Sequence, residues 1–544
     1  MLLAAAAPLL GLLIAAAPPR PAPPQGKLAA YIDARAAEMR GDEAASARIY
    51  AAMSAADPAD QQVARRAVAA AIQSGQAGLA ISLARGMKPS DLSVDARLML
   101  AADALRRDKT GDAIAILERG ASSTEVDLFA PLVRAWARTA RGKADGAAAL
   151  TMLNANSPLG SVADEQRAAM LFALRKPDEA LPIAQNVVRR SGGRNARLRL
   201  AYADALIRLG RREDARAMLD GDDQALIAGR ALLAARRPLG AAIATPAAGF
   251  AGLLVALAID LSRDDSKLLP ISLTQVARHA DPGSTEATLL LALLLDGGKR
   301  DDDALSVLAT IPAADPLAGD ALDLETRLLS DARQYDAALK RAHAATASPI
   351  ATAADYSRLG AIFADMERHA DAAAAYAEAI RRSPTNGWTM RLLRAASLEQ
   401  IDRWPEARIE LETAMRTEPD NAVLLNFLGY GKLERGEDLD AAEAMIRKAS
   451  ALKPDDASIT DSLGWAMYKR GRLPEAVTTL TRAAVSDPGQ AEIHEHLGDA
   501  LFASGRRIEA RFSWSAALLT AEDKDKARLQ AKLDAGLTAA TSAP

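Results

Sequence analysis

Along most of this chain apolar residues recur at steps of three and four, the period of an amphipathic α-helix, and no segment alternates apolar with polar residues for long. Helices are predicted throughout and strands nowhere. The helical stretches also repeat. From Gly464 the chain steps twelve residues to Ala476, four to Leu480, three to Ala483 and five to Pro488. The same steps from Gly360 reach Ala372, Tyr376, Ala379 and Pro384, and from Ala395 they reach Ala407, Leu411, Ala414 and Pro419. Gly429 leads, with one inserted residue, to Ala442, Ile446, Ala449 and Pro454. Gly498 leads to Ala510, Trp514 and Ala517, with Glu522 in the place of proline. The prolines at 384, 419, 454 and 488 lie 35, 35 and 34 residues apart, a fixed period that predicts an array of like units.

Each step has a mechanical meaning. Glycine in a first helix lets a second helix approach where a larger side chain would hold it off. The small, large and small residues of the second helix form one buried stripe, and proline ends that helix. Turns are expected near Gly436, Gly471 and Gly505. One hairpin cannot cover its own stripe, so neighbouring units must stack. Upstream the pattern weakens but persists, with Ala34, Ser46, Tyr50, Met53 and Pro58 keeping the steps. The stretch 217 to 320 is irregular. Its uncharged run from Pro238 to Ile259, broken by Gly240, Pro246, Gly249 and Gly252, predicts a buried helix with Thr245 as N-cap and Pro246 in the first turn, not a membrane span.

This spacing resembles the tetratricopeptide repeat (TPR), best over residues 353 to 522. The resemblance implies an all-α superhelical solenoid of stacked helical hairpins whose first helices line a concave groove for protein partners. The charged segment Asp523 to Leu537 is expected to cap the open end. The organisation expected is a degenerate block at 28–216, an irregular helical region at 217–320, a C-terminal block at 321–522, and a capping helix and tail at 523–544, with roughly 12 to 14 units in all. Residues three before the repeat glycine, one after it and four after it share a helix face. That face gives Asn426 and Tyr430, then Asp461, Trp465 and Tyr468, then Glu495, Asp499 and Phe502 as the candidate partner-binding groove. Earlier units place Ser357, Ala361 and Ala364, then Leu392, Ala396 and Glu399 there. Thirteen of the 20 aromatic residues lie between Tyr335 and Trp514, and aromatic residues dominate binding hot spots. The competing role for Trp465 and Tyr468 is to fill crevices between helices. The groove has no basic ladder of the kind that clamps a C-terminal carboxylate. A second candidate is an anionic-ligand patch at Arg189, Arg190, Arg194, Arg197 and Arg199, which open a run of nine arginines; the alternative is a solvated helix face.

Composition narrows the chemistry. Lys plus Arg is 67 against 70 for Asp plus Glu, a net charge of −3 that draws in neither nucleic acid nor an acidic membrane. The absence of cysteine excludes disulfides, thiolate metal sites, a cysteine nucleophile and a lipoprotein acyl anchor. No phosphate-binding glycine loop, dinucleotide fingerprint or His-Glu-x-x-His motif occurs, so no catalytic residue, metal or cofactor is assigned. His494 and His496 stand two apart on a predicted helix and point about 200° from each other, too divergent to chelate one ion.

The start of the chain, residues 1–17, is uncharged and apolar, and 18–27 is rich in proline. These are expected to be an export signal or membrane anchor and a stiff linker, with any membrane contact confined to that segment. The phrases Leu425-Asn426-Phe427-Leu428-Gly429-Tyr430, Asp461-Ser462-Leu463-Gly464-Trp465 and His496-Leu497-Gly498-Asp499 resemble those of large proteobacterial envelope TPR proteins. One such type is a lipoprotein that holds a C-terminal-processing protease and delivers cell-wall hydrolases to it, although this chain has no lipobox cysteine. The resemblance implies a periplasmic adaptor, soluble or anchored by its N-terminal helix; the alternative is a cytoplasmic or membrane-tethered assembly factor for polysaccharide or pilus export. Alkaline phosphatase fused after residue 30 is expected to be active in the envelope, and an inactive fusion would overturn export.

Overall fold

Each second helix predicted for the C-terminal repeats is present, and its stripe is buried. Ala407, Leu411 and Ala414, Ala442, Ile446 and Ala449, Ala476, Leu480 and Ala483, and Ala510, Trp514 and Ala517 are all at most 1% exposed. The computed structural model describes residues 26–118, 129–150, 160–263, 267–348, 351–382 and 387–538; among them are thirty α-helices and no strand. The fold is all-α and TPR-like, as the sequence predicts. The apolar start 1–17, nearly all of the proline-rich segment, and Pro384 lie outside the described residues.

The repeat glycines sit where first and second helices touch. A Cβ on Gly464 would lie 2.6 Å from Leu480 Cγ, one on Gly498 2.3 Å from the Trp514 ring, and one on Gly360 2.8 Å from the Tyr376 ring. No larger residue fits without prising the helices apart. Pro419, Pro454 and Pro488 follow second helices that end at Thr417, Leu452 and Ser486. First helices start on side-chain caps: Asp456 accepts from Ile459 N at 3.1 Å, and Thr352 and Asp355 form a capping box. The turn inside the hairpin takes a left-handed residue, Gly471 at φ +75° or, where glycine is missing, Asp402 at +57°.

The chain divides into two compact units between Glu325 and Thr326, inside the helix Ala318–Asp331. The first unit opens with six hairpins from Lys27 to Met218, whose first helices are Lys27–Met39, Gln61–Gln73, Val94–Arg106, Phe129–Ala140, Gly160–Ala173 and Asn195–Arg208. Ala34 and Tyr50 of the weakest repeat are fully buried, as its register predicts. The irregular stretch then does something an open array does not. The hairpin Pro246–Leu261 with Leu268–Ala280 returns across the row of first helices: its first arm packs on Val94–Arg106, Phe129–Ala140 and Gly160–Ala173, and its second on Gln61–Gln73 and Val94–Arg106.

The predicted N-cap is real, with Thr245 Oγ1 accepting from Ala248 N at 3.1 Å. Gly249 lies against Trp136, whose indole nitrogen would be 2.1 Å from a Cβ there and donates to Gln166 Oε1 at 2.9 Å. Two buried polar anchors guide the return. The Asp204 carboxylate, fully buried, accepts from the backbone N–H groups of Leu239, Ala241 and Ala242 at 3.0 to 3.1 Å, fixing the loop that leads into the hairpin. Arg194 bridges Glu165 at 2.7 Å and Glu286 at 2.8 Å.

The second unit continues as hairpins with first helices Ala353–Asp365, Gly387–Glu399, Ala422–Glu434, Ala457–Lys469 and Ala491–Ala503, and closes on the helix Asp523–Ala535, whose Leu529 is buried against Ala517 and Ala521. Gly464→Val is expected to lower the melting temperature of this unit, at a cost of about 3 kcal/mol. Gly111→Ala, in a helix where a Cβ meets nothing within 4 Å, should leave stability unchanged or raise it. Equal melting curves for Gly464→Val and the wild type would contradict the contact.

Candidate functional site

The eight residues expected to line the groove lie on the first helices Ala422–Glu434, Ala457–Lys469 and Ala491–Ala503. The structure separates them. Asn426, Tyr430, Tyr468 and Phe502 are partly exposed, whereas Asp461, Trp465, Glu495 and Asp499 are buried. The expected exposure of those four is therefore corrected. Helical periodicity places them on one face, but in this unit the next first helix, or the capping helix, packs on that face.

Trp465 shows how the face is covered. Its ring stacks on two others, Tyr468 at 4.6 Å and His496 at 4.0 Å between centroids, both nearly parallel to it. Its indole nitrogen donates to Glu434 Oε1 at 2.6 Å, and Lys469 sits 5.0 Å over the ring. The crevice-filling role fits Trp465 at 1% exposure. His496 and Asp461 are joined at 2.8 Å between Nδ1 and Oδ2. Burial, the largest influence on His496, works against its charged form, but the attraction and hydrogen bond of Asp461, with Glu492 and Asp499 beyond, hold its pKa above the usual value.

At the C-terminal end the predicted acidic face is neutralised from within. Lys532 of the helix Asp523–Ala535 is fully buried; its Nζ reaches Glu495 at 2.6 Å and Asp499 at 2.8 Å. Arg528 pairs with Glu495 at 2.7 Å, and Trp514 donates its indole N–H to Asp499 at 2.9 Å. Burial alone would raise the Glu495 pKa, but Arg528 and Lys532 overcome it and hold the carboxyl below its ordinary range. Phe502 is covered in part by the chain at Gly536, where a Cβ would lie 2.7 Å from its ring. Sequence arithmetic missed His496, Glu434 and Lys532. Only Lys532 had a signal, the charged capping helix that must place something against the last hairpin.

What remains open lies toward the start of the unit. Ala361 is exposed, and Ser357, Ala364, Leu392, Ala396, Glu399, Asn426 and Tyr430 are partly so. A cavity of about 190 Å³ opens where Asn426, Phe427, Tyr430, Ser458, Asp461, Ser462, Gln490 and Glu492 meet, with Glu399 at its edge. The Tyr430 hydroxyl reaches past the intervening hairpin to donate to Glu492 at 3.4 Å. Burial and the Glu492 carboxylate push its pKa well above that of a free phenol.

The arginine patch is not assembled as an anion site. Arg194 is held by Glu165 and Glu286, Arg197 donates to Ala241 O at 3.1 Å beside Glu286, and Arg199 donates to the carbonyls of Met218 and Asp220. Arg190 pairs with Asp164 at 3.0 Å, and Arg189 reaches Asn186 at 3.4 Å. The arginines serve loop and helix ends of their own unit. Among the described residues no group of three or more His, Asp or Glu side chains is placed to hold a metal, and no helix is long and apolar enough to cross a membrane.

Two sequence models of the tetratricopeptide repeat match the chain, one over residues 171–226 and the other over 357–423, 428–491 and 462–527, the last two overlapping. Among solved structures, the APC/C hetero-tetramer Cut9–Hcn1 is 14% identical over 94% of this chain and 96% of that one, with a TM-score of 0.39. A tetratricopeptide-repeat protein from Parabacteroides merdae is 12% identical over 45% of this chain and 96% of its own, with a TM-score of 0.38. YrrB, described as a TPR protein with an unusual peptide-binding site, is 20% identical over 35% and 97%, with a TM-score of 0.27. No curated protein matches the chain.

A histidine whose pKa is higher in the folded than in the unfolded state contributes stability that is complete below about pH 6.5 and disappears as pH rises through its folded value. The melting temperature of the second unit in the full chain is therefore expected to fall as pH rises above that point. His496→Gln should flatten the slope; an unchanged slope in that variant would show that His496 is not its source.

Proposed function

We propose that this chain, whose paired helices include tetratricopeptide repeats, is a non-catalytic adaptor of the bacterial cell envelope that holds protein partners against the first helices of its second unit. Repeats of this kind build protein–protein interaction scaffolds. The observation that carries the assignment to the second unit is the occupancy of the other face. From Gln61 to Ala173 the first helices of the first unit are already covered by the chain's own hairpin, Pro246–Leu261 with Leu268–Ala280. That hairpin belongs to the core: Phe250, Leu253, Leu254 and Val255 are fully buried, and displacing it would expose them all. The second unit keeps its face free from Ala361 through Ala396 to Tyr430.

Two further parts of the proposal rest on sequence. Placement in the periplasm is supported by the apolar run 1–17 and the proline-rich segment after it. A C-terminal-processing protease with its cell-wall hydrolase substrates is the partner class suggested by the phrases around Gly429, Gly464 and Gly498.

A photo-cross-linking residue at Ala361 or Ala396, introduced singly into the full chain in cells, is expected to trap the same partner from both positions. The same residue at Ile409, exposed on the outer helix Trp404–Thr417, is expected to trap none. Adducts from Ile409 alone, or from none of the three, would overturn the assignment to this face.

A further inference from the structure

The cavity at Tyr430 is unusual in what its walls lack. Asp461, 6% exposed at its side chain, gives one carboxylate oxygen to His496 and leaves the other, Oδ1, buried without a hydrogen-bond partner. Asn426 Oδ1 is buried and unpartnered in the same way. The Glu492 carboxylate receives the Tyr430 hydroxyl, and among the described residues no cation lies within salt-bridge distance of it. Glu399 at the edge is paired with Arg435 at 2.9 Å. No lysine or arginine lines the cavity, while the rings of Phe427 and Tyr430 form part of its wall.

A buried acceptor without a donor has given up its water and gained nothing in return, which destabilises the site. Two such acceptors beside one cavity leave hydrogen-bonding capacity that its own amides and hydroxyls do not fill, and Glu492 adds a carboxylate with no cation against it among the described residues. A group that corrects both deficits must bring several N–H donors in one plane, a full charge and an apolar stem that lies against aromatic rings. A guanidinium on its methylene chain has these properties, and its five donors can serve acceptors on different helices at once. An ammonium offers charge and three donors but no planar face to stack.

We propose that this cavity is a subsite for an arginine side chain carried on an extended segment of a protein partner. The inference deepens the assignment of partners to the second unit and rests on it. It adds that the bound segment presents arginine between the first helices Ala422–Glu434, Ala457–Lys469 and Ala491–Ala503.

The test uses the full chain and fluorescein-labelled hexapeptides that differ at one central position: arginine, lysine, citrulline or glutamate. Citrulline keeps the shape of arginine and removes the charge. Fluorescence polarisation is expected to show the arginine peptide binding at least about tenfold more tightly than the citrulline peptide, with glutamate weakest. Glu492→Gln, at an exposed position, and Asn426→Leu should each reduce the preference for arginine while the chain still melts in a cooperative transition. Equal binding of arginine and citrulline peptides, a preference that survives both substitutions, or no binding of the arginine peptide up to millimolar concentration would overturn the subsite. Cross-links from Ala361 and Ala396 report separately on the face as a whole. Their persistence in Glu492→Gln with no arginine preference would remove the subsite and keep the adaptor, and their absence would remove the adaptor.

Discussion

The architecture depends on one close contact, the seat of a bulky second-helix side chain on a bare stretch of first helix. At Gly464 the seated group is Leu480, at Gly498 Trp514, at Gly360 Tyr376 and at Gly429 Ile446. The contact pins the two helices at mid-length and turns the remaining small residues of the second helix inward, so that Ala476 and Ala483 can meet their neighbours at van der Waals distance. With cores built from alanine and leucine, little dispersion energy comes from any one side chain, and the close approach of backbones must supply it over many contacts. Few aromatic residues are then needed in the interior. Several of those present, Trp136, Trp465 and Trp514, are set against a glycine or in a ring stack, each with its indole nitrogen bonded to a carboxylate or amide.

A hairpin array exposes its first-helix face unless something lies on it, and the two units meet that requirement differently. In the first, the return of Pro246–Leu261 and Leu268–Ala280 converts a potential groove into core. The polar cost of turning the chain back is offset at Asp204, whose carboxylate satisfies three backbone N–H groups of the loop, and at Arg194, whose charge is shared between Glu165 and Glu286. The hairpin and the first helices it covers share one buried core. In the second unit no such hairpin exists among the described residues, and the face stays accessible over the stretch from Ala361 to Tyr430.

Within the second unit the same helix positions change role along the chain. At Asn426 and Tyr430 they border a cavity; at Asp461 and Trp465 they join a buried stack with His496; at Glu495 and Asp499 they bind Lys532 of the capping helix. The last first helix has no further hairpin to cover its flank, so the helix Asp523–Ala535 takes that place, and a buried lysine answers two buried carboxylates. Acidic residues that would steer a partner if solvated are spent on closing the end of the array. Glu492 lies nearby with no salt bridge among the described residues, and Oδ1 of Asp461 and Oδ1 of Asn426 are buried without a hydrogen-bond partner.

By itself, the sequence determined the helical class, the period, the turn and proline positions, and which residues of each second helix are buried, because all of these follow from contacts within one hairpin or between neighbours. It also marked Thr245 and Pro246 as a helix start and the run after them as buried. The partner of that run was not legible: Trp136 lies 113 residues from Gly249, and nothing local says which face a returning hairpin will cover. For the same reason Asp461, Trp465, Glu495 and Asp499 could be placed on one side of their helices but not in or out of water. Periodicity fixes an angle around a helix axis; whether that angle looks at solvent is decided by the neighbouring helix, and here His496 and Lys532 decided it.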